Sequence, residues 1–384
     1  HRDLHSFPTR RSSDLLLAAA NQPVAFYPVK NHERLLSLLP RVGEQLIDTE
    51  GLSTASGTTT ESFEKATKKA QAPLSGLGFY RLSEDGRLRL ITKSEHYHAP
   101  LGHSFPGYEL LDVARQLGVP NATHNNTRGH ITRLLEERLV RLANGLAEDD
   151  EVGFEAVMEQ RDLGTLNRVL NLETGSLACE AALKLALARF YRSQEDQPEP
   201  RYAGRVPVVL VMGSDEGTLH ANYHGTAVLN QATRGMWPEL LGGMEEAGLL
   251  RVAAVRPNHI EDLDAAFTRW EQPPYKLAVF FHEIVMMNYG ARLLSEEFLH
   301  RAYALSEAHD VPVVCDEIQS CVWSPALLQF REYGLRPSAV ALGKGFPGGE
   351  YPASRLLFSA GLDCLPQFGA LVTNGQEELA SLAW

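Results

Sequence analysis

From Leu110 onward, short apolar runs alternate with longer stretches in which apolar residues recur at helical spacing. The runs VPVVLVMG (206–213), KLAVFF (276–281), VPVVCDE (311–317) and SAVALG (338–343) are apolar on both faces and bounded by polar, Gly or Pro residues. Two-sided runs of this length predict strands of a mostly parallel sheet. Leu177–Tyr191, Glu239–Ala247, His259–Trp270 and Glu296–Ala308 lie between them and predict helices flanking that sheet. The expected fold class is α/β. In such sheets ligands gather at the carboxyl ends of strands, so the residues just after each run are the first candidates for chemistry.

The first hundred residues read differently. RLSEDGRLRLI (81–91) predicts a hairpin turning at Asp85-Gly86, after a charged helical stretch near Glu61–Gln71. The very start places Arg10-Arg11 before an apolar run, like an export signal. That run, Leu15–Ala20, is shorter than the roughly 7–15 residues such signals use, and Asp14 interrupts the approach to it. His5–Asp14 back-translates to CAC TCT TTC CCT ACA CGA CGC TCT TCC GAT, which resembles a sequencing-library adapter. Residues 1–14 are therefore expected to be a translated artefact. At the other end, QEE followed by LASLAW (376–384) reads as a helix start without a stop signal, so truncation is expected there too.

Composition narrows the picture. At 384 residues the chain exceeds one compact core, and 44% hydrophobic with 22% charged is ordinary globular material. Thirty-six basic against 48 acidic residues give a net charge of −12, which argues against nucleic-acid and anionic-membrane partners. A local basic patch could still hold one phosphate. No apolar run approaches the roughly 20 residues of a membrane helix. The cysteines, Cys179, Cys315, Cys321 and Cys364, show no CxxC pairing, so a reducing cytoplasm fits better than a disulfide scaffold or zinc site.

Four segments carry candidate chemistry. In NLETGSLACEAALK (171–184), Thr174, Gly175 and Ser176 enter a strong helix former, either as a simple cap or as a phosphate-binding helix start. In VPVVCDEIQS (311–320), Asp316 and Glu317 end a buried strand, where carboxylates need a cationic or hydrogen-bonding partner. In ALGKGFPGG (341–349), Lys344 sits between glycines and can bind phosphate, act as a Schiff-base amine or point to solvent. In ANYHGTAVL (221–229), Tyr223 beside His224 either stacks on a planar ligand or simply packs. HYHAPLGH (96–103) offers His96, His98 and His103, but no spaced carboxylate or cysteine set completes a metal site.

In this order the segments resemble the class III (ω-amino acid type) aminotransferases, fold type I enzymes that use pyridoxal 5'-phosphate. The resemblance covers about residues 78 to 384. The family's S-G-S-E-A-x-E-A-A-L-K lies over TGSLACEAALK, its Y/F-H-G over Tyr223-His224-Gly225, and its E-P-V-Q-G-N-M-G over EIVMMNYG (283–290). Its D-E-V-Q lies over Asp316–Gln319 and its K-G-x-G-G over Lys344 and the following glycines. It implies a large cofactor-binding domain over 110–384, a small N-terminal segment over 15–109, and a C-terminal small domain missing from this chain.

The resemblance also implies roles. Lys344 forms the Schiff base with the cofactor and then moves protons. Asp316 pairs with the pyridine nitrogen, Gln319 with the phenolic oxygen, and Tyr223, next to His224, stacks on the ring. Thr174, Gly175 and Ser176 hold the phosphate, Glu283 orders the substrate side, and Thr373 reaches the phosphate of a neighbouring subunit, making a homodimer. The implied reaction passes an amino group from an amine or ω-amino acid to a 2-oxo acid. The same scaffold also serves racemases, aminomutases and decarboxylases, and a non-catalytic interaction module or an unrelated phosphate-binding α/β protein are the other readings. Leu177, Met286, Thr226 and CVWSPA (321–326) depart from the family pattern, mainly on the substrate side.

Overall fold

The computed structural model describes residues 23–50, 54–91, 96–121, 125–370 and 372–384, with Ala18 and Asn21 ahead of them. The readings of residues 1–14 and, Ala18 apart, of the apolar run 15–20 lie outside the described residues. The chain divides into two compact units, one up to Pro120 and one from Asn121 to Leu382.

The described residues of the first unit include the α-helices α1 (Val29–Leu38), α2 (Glu61–Ala66) and α3 (Glu109–Gln116), and the antiparallel strands β1 (Pro73–Leu77), β2 (Tyr80–Ser83) and β3 (Leu88–Leu90). The hairpin expected over 81–91 is present, with Tyr80 opposite Leu90 and Leu82 opposite Leu88. Gly86 turns it at φ 77°, a left-handed conformation that glycine adopts without cost. The charged stretch expected to be helical to Gln71 stops early: Thr60 caps α2, and Thr67 is already extended at ψ 122°.

The second unit is built on a seven-stranded sheet. Its elements are α4 (His130–Asn144), α5 (Glu151–Glu159), β4 (Leu166–Leu172), α6 (Gly175–Leu187), β5 (Val206–Met212), α7 (Val228–Thr233) and α8 (Pro238–Glu246). There follow β6 (Arg251–Val255), α9 (Ile260–Trp270), β7 (Tyr275–His282), a small ribbon of β8 (Val285–Met286) with β9 (Arg292–Leu293), and α10 (Glu296–Ala308). β10 (Val313–Asp316), α11 (Gln329–Glu332), β11 (Ala339–Leu342), β12 (Ser354–Ser359) and α12 (Glu378–Ala383) complete it. The strand order is β4-β12-β11-β10-β7-β5-β6. All neighbouring pairs are parallel except those made by β12, which runs against both β11 and β4. The mostly parallel α/β sheet expected from the sequence is thus present.

β12 is reversed because residues 343–353 return the chain directly, without the helical crossover that a parallel neighbour requires. That Gly- and Pro-rich return carries Lys344. On one face of the sheet, the small residues of α6 (Ala178, Ala181, Ala182) let the helix lie close over Val211, Phe281, Val314 and Ala341. Burying side chains such as Phe281 is worth about 1.5–3 kcal/mol each, and this packing fixes the start of α6 against the ends of β7 and β10.

Candidate functional site

The strand ends bring together most of the residues singled out in the sequence. Asp316, the last residue of β10, is 4% exposed and fully hydrogen-bonded. His224 Nδ1 donates to its Oδ2 at 2.9 Å, the Cys179 thiol reaches the same oxygen at 3.5 Å, and the backbone N–H of Ile318 donates to Oδ1 at 3.1 Å. The need for a partner, read from the sequence, is met by an imidazole, a thiol and a peptide group. Glu317 points elsewhere: its carboxylate accepts the N–H groups of Gln329 (2.8 Å) and Phe330 (2.7 Å), capping α11. Burial raises that carboxyl to about 7.

Beside Asp316, Gln319 Nε2 donates to Glu283 Oε1 at 3.4 Å. Burial first, and then the charge of Asp316, push the Glu283 carboxyl well above its ordinary range, while the positive charge of Lys344 pulls it back. Lys344 is half-buried and sits at φ 38°. A non-glycine residue in the left-handed region carries strain of order 1 kcal/mol, which surrounding structure sustains mainly where position matters. The Cys321 thiol donates to the preceding carbonyl, Gly343 O, at 3.2 Å and so steadies the turn.

The third group lies at the start of α6. Thr174 is extended (φ −144°, ψ 148°) and makes no side-chain cap; its carbonyl accepts the Leu177 N–H, leaving the N–H groups of Gly175 and Ser176 and the positive end of the helix dipole to another acceptor. Ser176 Oγ accepts the N–H of Thr226 at 3.1 Å. Gly225 has φ 103°, and a Cβ there would stand 2.6 Å from Ser176 Cα, so the loop after Tyr223 lies directly on the helix start. Gly175 in turn lies against the Ile318 side chain. Tyr223 is half-buried, with the Arg234 guanidinium 5.2 Å from its ring centre.

Thr373 stands apart. It is exposed in the loop before α12, where its carbonyl accepts the Gln376 side chain at 3.3 Å. The loop nevertheless abuts the end of β4, since a Cβ on Gly375 would be 2.6 Å from the carbonyl carbon of Leu172. Cys179 was missed as a site residue. Inside an apolar helix pattern a cysteine reads as packing, and its one signal was position, one turn after Gly175.

Three buried polar atoms, His224 Nε2, Gln319 Oε1 and Glu283 Oε2, have no hydrogen-bond partner among the described residues. Leaving such atoms unpaired costs about 1–3 kcal/mol each, so their clustering marks a place for a polar ligand. Pyridoxal phosphate fits the donor set. The set offers an amine for its aldehyde, a buried carboxylate and an amide for its polar ring atoms, and an uncapped helix start for its phosphate. Cys179, His224 and Asp316 are the only group of three potential metal ligands among the described residues. Among the described residues no helix is long and apolar enough to cross a membrane.

The family model described as Aminotransferase class-III matches residues 103–369. Ornithine aminotransferase car2 of Schizosaccharomyces pombe is 27% identical over 263 residues, 66% of this chain and 56% of that protein. The 4-aminobutyrate aminotransferase GabT of Escherichia coli is 26% identical over 250 residues, 63% of this chain and 55% of that protein. The chain thus spans little more than half the length of these relatives. Ornithine aminotransferase of Toxoplasma gondii ME49 shares the fold, at TM-score 0.61 and 16% identity over 98% of this chain and 73% of that one.

Proposed function

The chain belongs to the class-III aminotransferases, and from that premise we propose that it transfers an amino group from an amine or ω-amino acid to a 2-oxo acid, with pyridoxal phosphate held at the strand ends. The observation that carries this reading is the convergence of Lys344, Glu283, Gln319 and Asp316 at one buried place with three polar atoms unpartnered. Pyridoxal phosphate supplies, when bound, an aldehyde that condenses with amines and a ring that draws electrons from the neighbouring carbon.

The chain's own residues do the rest. Lys344 Nζ would hold the aldehyde, and its amine would supply the base that takes a proton from the amine-bearing carbon of the substrate and returns it. Asp316 would pair with the ring nitrogen and favour its protonated form, and His224 and Cys179 hold the carboxylate in place. Gln319 meets the phenolic oxygen. Tyr223 would cover a ring face and exclude water, while Thr174, Gly175 and Ser176 would hold the phosphate at the dipole end of α6. Glu283, its carboxyl pushed well above the ordinary range by burial, orders Gln319 on the substrate side.

Two finer points belong to the same reading. The protein acts as a homodimer in which Thr373, exposed in its own protomer, completes the phosphate site of the other subunit. It works in the cytoplasm, consistent with four free cysteines.

The deciding experiment adds pyridoxal phosphate to the full chain and to Lys344→Ala and records visible spectra. A protein-bound band is expected only with the wild-type lysine, and borohydride reduction should place the label on the peptide containing Lys344. Equal spectra, or a label elsewhere, end the proposal. With an amine donor, keto product must then appear in step with acceptor consumption; carbon dioxide or inverted substrate without acceptor would instead point to decarboxylation or racemisation.

A further inference from the structure

The Cys179 thiol, the His224 imidazole and the Asp316 carboxylate come from α6, the loop after β5 and the end of β10, far apart in sequence. Their Sγ, an imidazole nitrogen and a carboxylate oxygen all lie within 4.8 Å of one another, with Nδ1 to Oδ2 at 2.9 Å and Sγ to Oδ2 at 3.5 Å. The three residues are 0%, 3% and 4% exposed. A tetrahedral zinc ion, with bonds of about 2.0 Å to N and O and about 2.3 Å to S, sets its ligand atoms about 3.3 Å (N to O) and about 3.5 Å (S to O) apart. The sulfur already stands at that separation from the carboxylate oxygen, the imidazole needs to withdraw from it by a few tenths of an ångström, and sulfur and nitrogen, within 4.8 Å, close to about 3.5 Å around the ion.

We propose that Cys179, His224 and Asp316 form a binding site for a thiophilic divalent cation of the zinc class. Charge favours it. A thiolate and a carboxylate cancel the ion's two charges, so the loaded site is buried without net charge. A sulfur and an imidazole nitrogen among the ligands select against magnesium and calcium. Binding releases the thiol proton to solvent and moves the imidazole proton from Nδ1 to the unpartnered Nε2, with no change of oxidation state. With three protein ligands, a water molecule takes the fourth position of the tetrahedron. The site does not depend on the aminotransferase reading. If that reading holds, the ion takes from the cofactor ring the negative charge of Asp316, and the cation acts as an inhibitor.

The test titrates cobalt(II) into the cofactor-free full chain and follows the thiolate-to-metal absorption in the near ultraviolet. One equivalent should develop the band, zinc should erase it, and Cys364→Ser, which removes the exposed thiol, should leave it intact. Cys179→Ser should abolish it and His224→Ala should weaken binding at least tenfold. X-ray absorption of zinc bound to the Cys364→Ser chain needs no variant at the site; it should show one sulfur among nitrogen and oxygen ligands. No thiolate band in the wild type, a band that follows Cys364 instead of Cys179, or a sulfur-free zinc shell overturns the proposal. The spectra of wild type and Lys344→Ala with pyridoxal phosphate are taken without metal, so either idea can fail alone.

Discussion

His224 donates to Asp316 Oδ2 at 2.9 Å while its ring lies 4.2 Å, centre to centre, from Phe281 on the neighbouring strand end. The phenyl ring fixes the plane of the imidazole, and the imidazole fixes one oxygen of the carboxylate. His224→Phe keeps the packing and deletes the bond. A hydrogen bond to a charged group is worth about 1.5–3 kcal/mol, so pyridoxal phosphate should bind about tenfold or more weakly. Fluorescence titration of the variant gives the dissociation constant. An unchanged constant would mean that Cys179 and the Ile318 N–H hold Asp316 well enough by themselves.

Gly225 and Gly175 both touch the helix start, but substitution should not affect them equally. At Gly225 an alanine Cβ would meet backbone, 2.6 Å from Ser176 Cα, at φ 103°. At Gly175 it would meet the far end of the Ile318 side chain, which can rotate away. Gly225→Ala is therefore expected to cost about 1–3 kcal/mol of stability and most of the phosphate affinity, and Gly175→Ala distinctly less. Denaturant midpoints and cofactor titrations of the two variants should separate them; equal losses would refute this account of the loop.

What could be read in the sequence was what periodicity and strand ends announce. β5, β7, β10 and β11 are apolar on both faces and stood out, and Asp316 and Lys344 were noticed because a charge follows each run. β4 was not legible: LNRVLNL mixes polar residues into an edge strand, where Asn171 is spent on a bond to Glu136 at 2.6 Å. The reversal of β12 depends on what the return loop omits, a helix, and no local pattern marks it. Nor could any spacing rule bring Cys179 to Asp316, since that contact exists only once α6 lies across β10.

The helix start read at QEELASLAW does a second job. The Glu378 carboxylate accepts the N–H groups of Ile131 (2.8 Å) and Thr132 (3.2 Å) and the Thr132 hydroxyl (2.7 Å), so it caps the 15-residue helix α4 from the other end of the chain. Glu378→Ala should lower stability by about 2 kcal/mol, more than an ordinary cap, because the buried Thr132 also loses a partner. Thr132→Val in that background should cost less than it does alone, since the bond to Glu378 is already gone while those of the Thr132 hydroxyl to Gln376 O (3.0 Å) and Ser381 Oγ (2.9 Å) remain to be lost. Additive losses in such a double-mutant cycle would sink the coupling.

The last expectation concerns acid. His282 is fully buried one residue before Glu283, its Nε2 3.1 Å from Tyr303 Oη and its ring stacked on Phe280. Tyr303 of α10, Glu283 of its own strand end, Cys315 opposite it on β10, and the more distant His224 and Asp316 are the titratable groups around it. Burial holds the imidazole down at about 4 against an ordinary 6.5. Between those values the unfolded chain binds a proton that the folded chain refuses. Stability present at neutral pH is therefore lost as pH falls through that window, by about 3 kcal/mol in all. Glu317, raised to about 7, titrates in the opposite sense, so the useful readout is the difference between two chains. His282→Gln keeps a donor toward Tyr303 and cannot ionise. Measured by denaturant unfolding, the stability of wild type minus that of the variant should climb with pH from about 4 to about 6.5 and be flat above. A difference independent of pH would show that the imidazole is free to take its proton in the folded state.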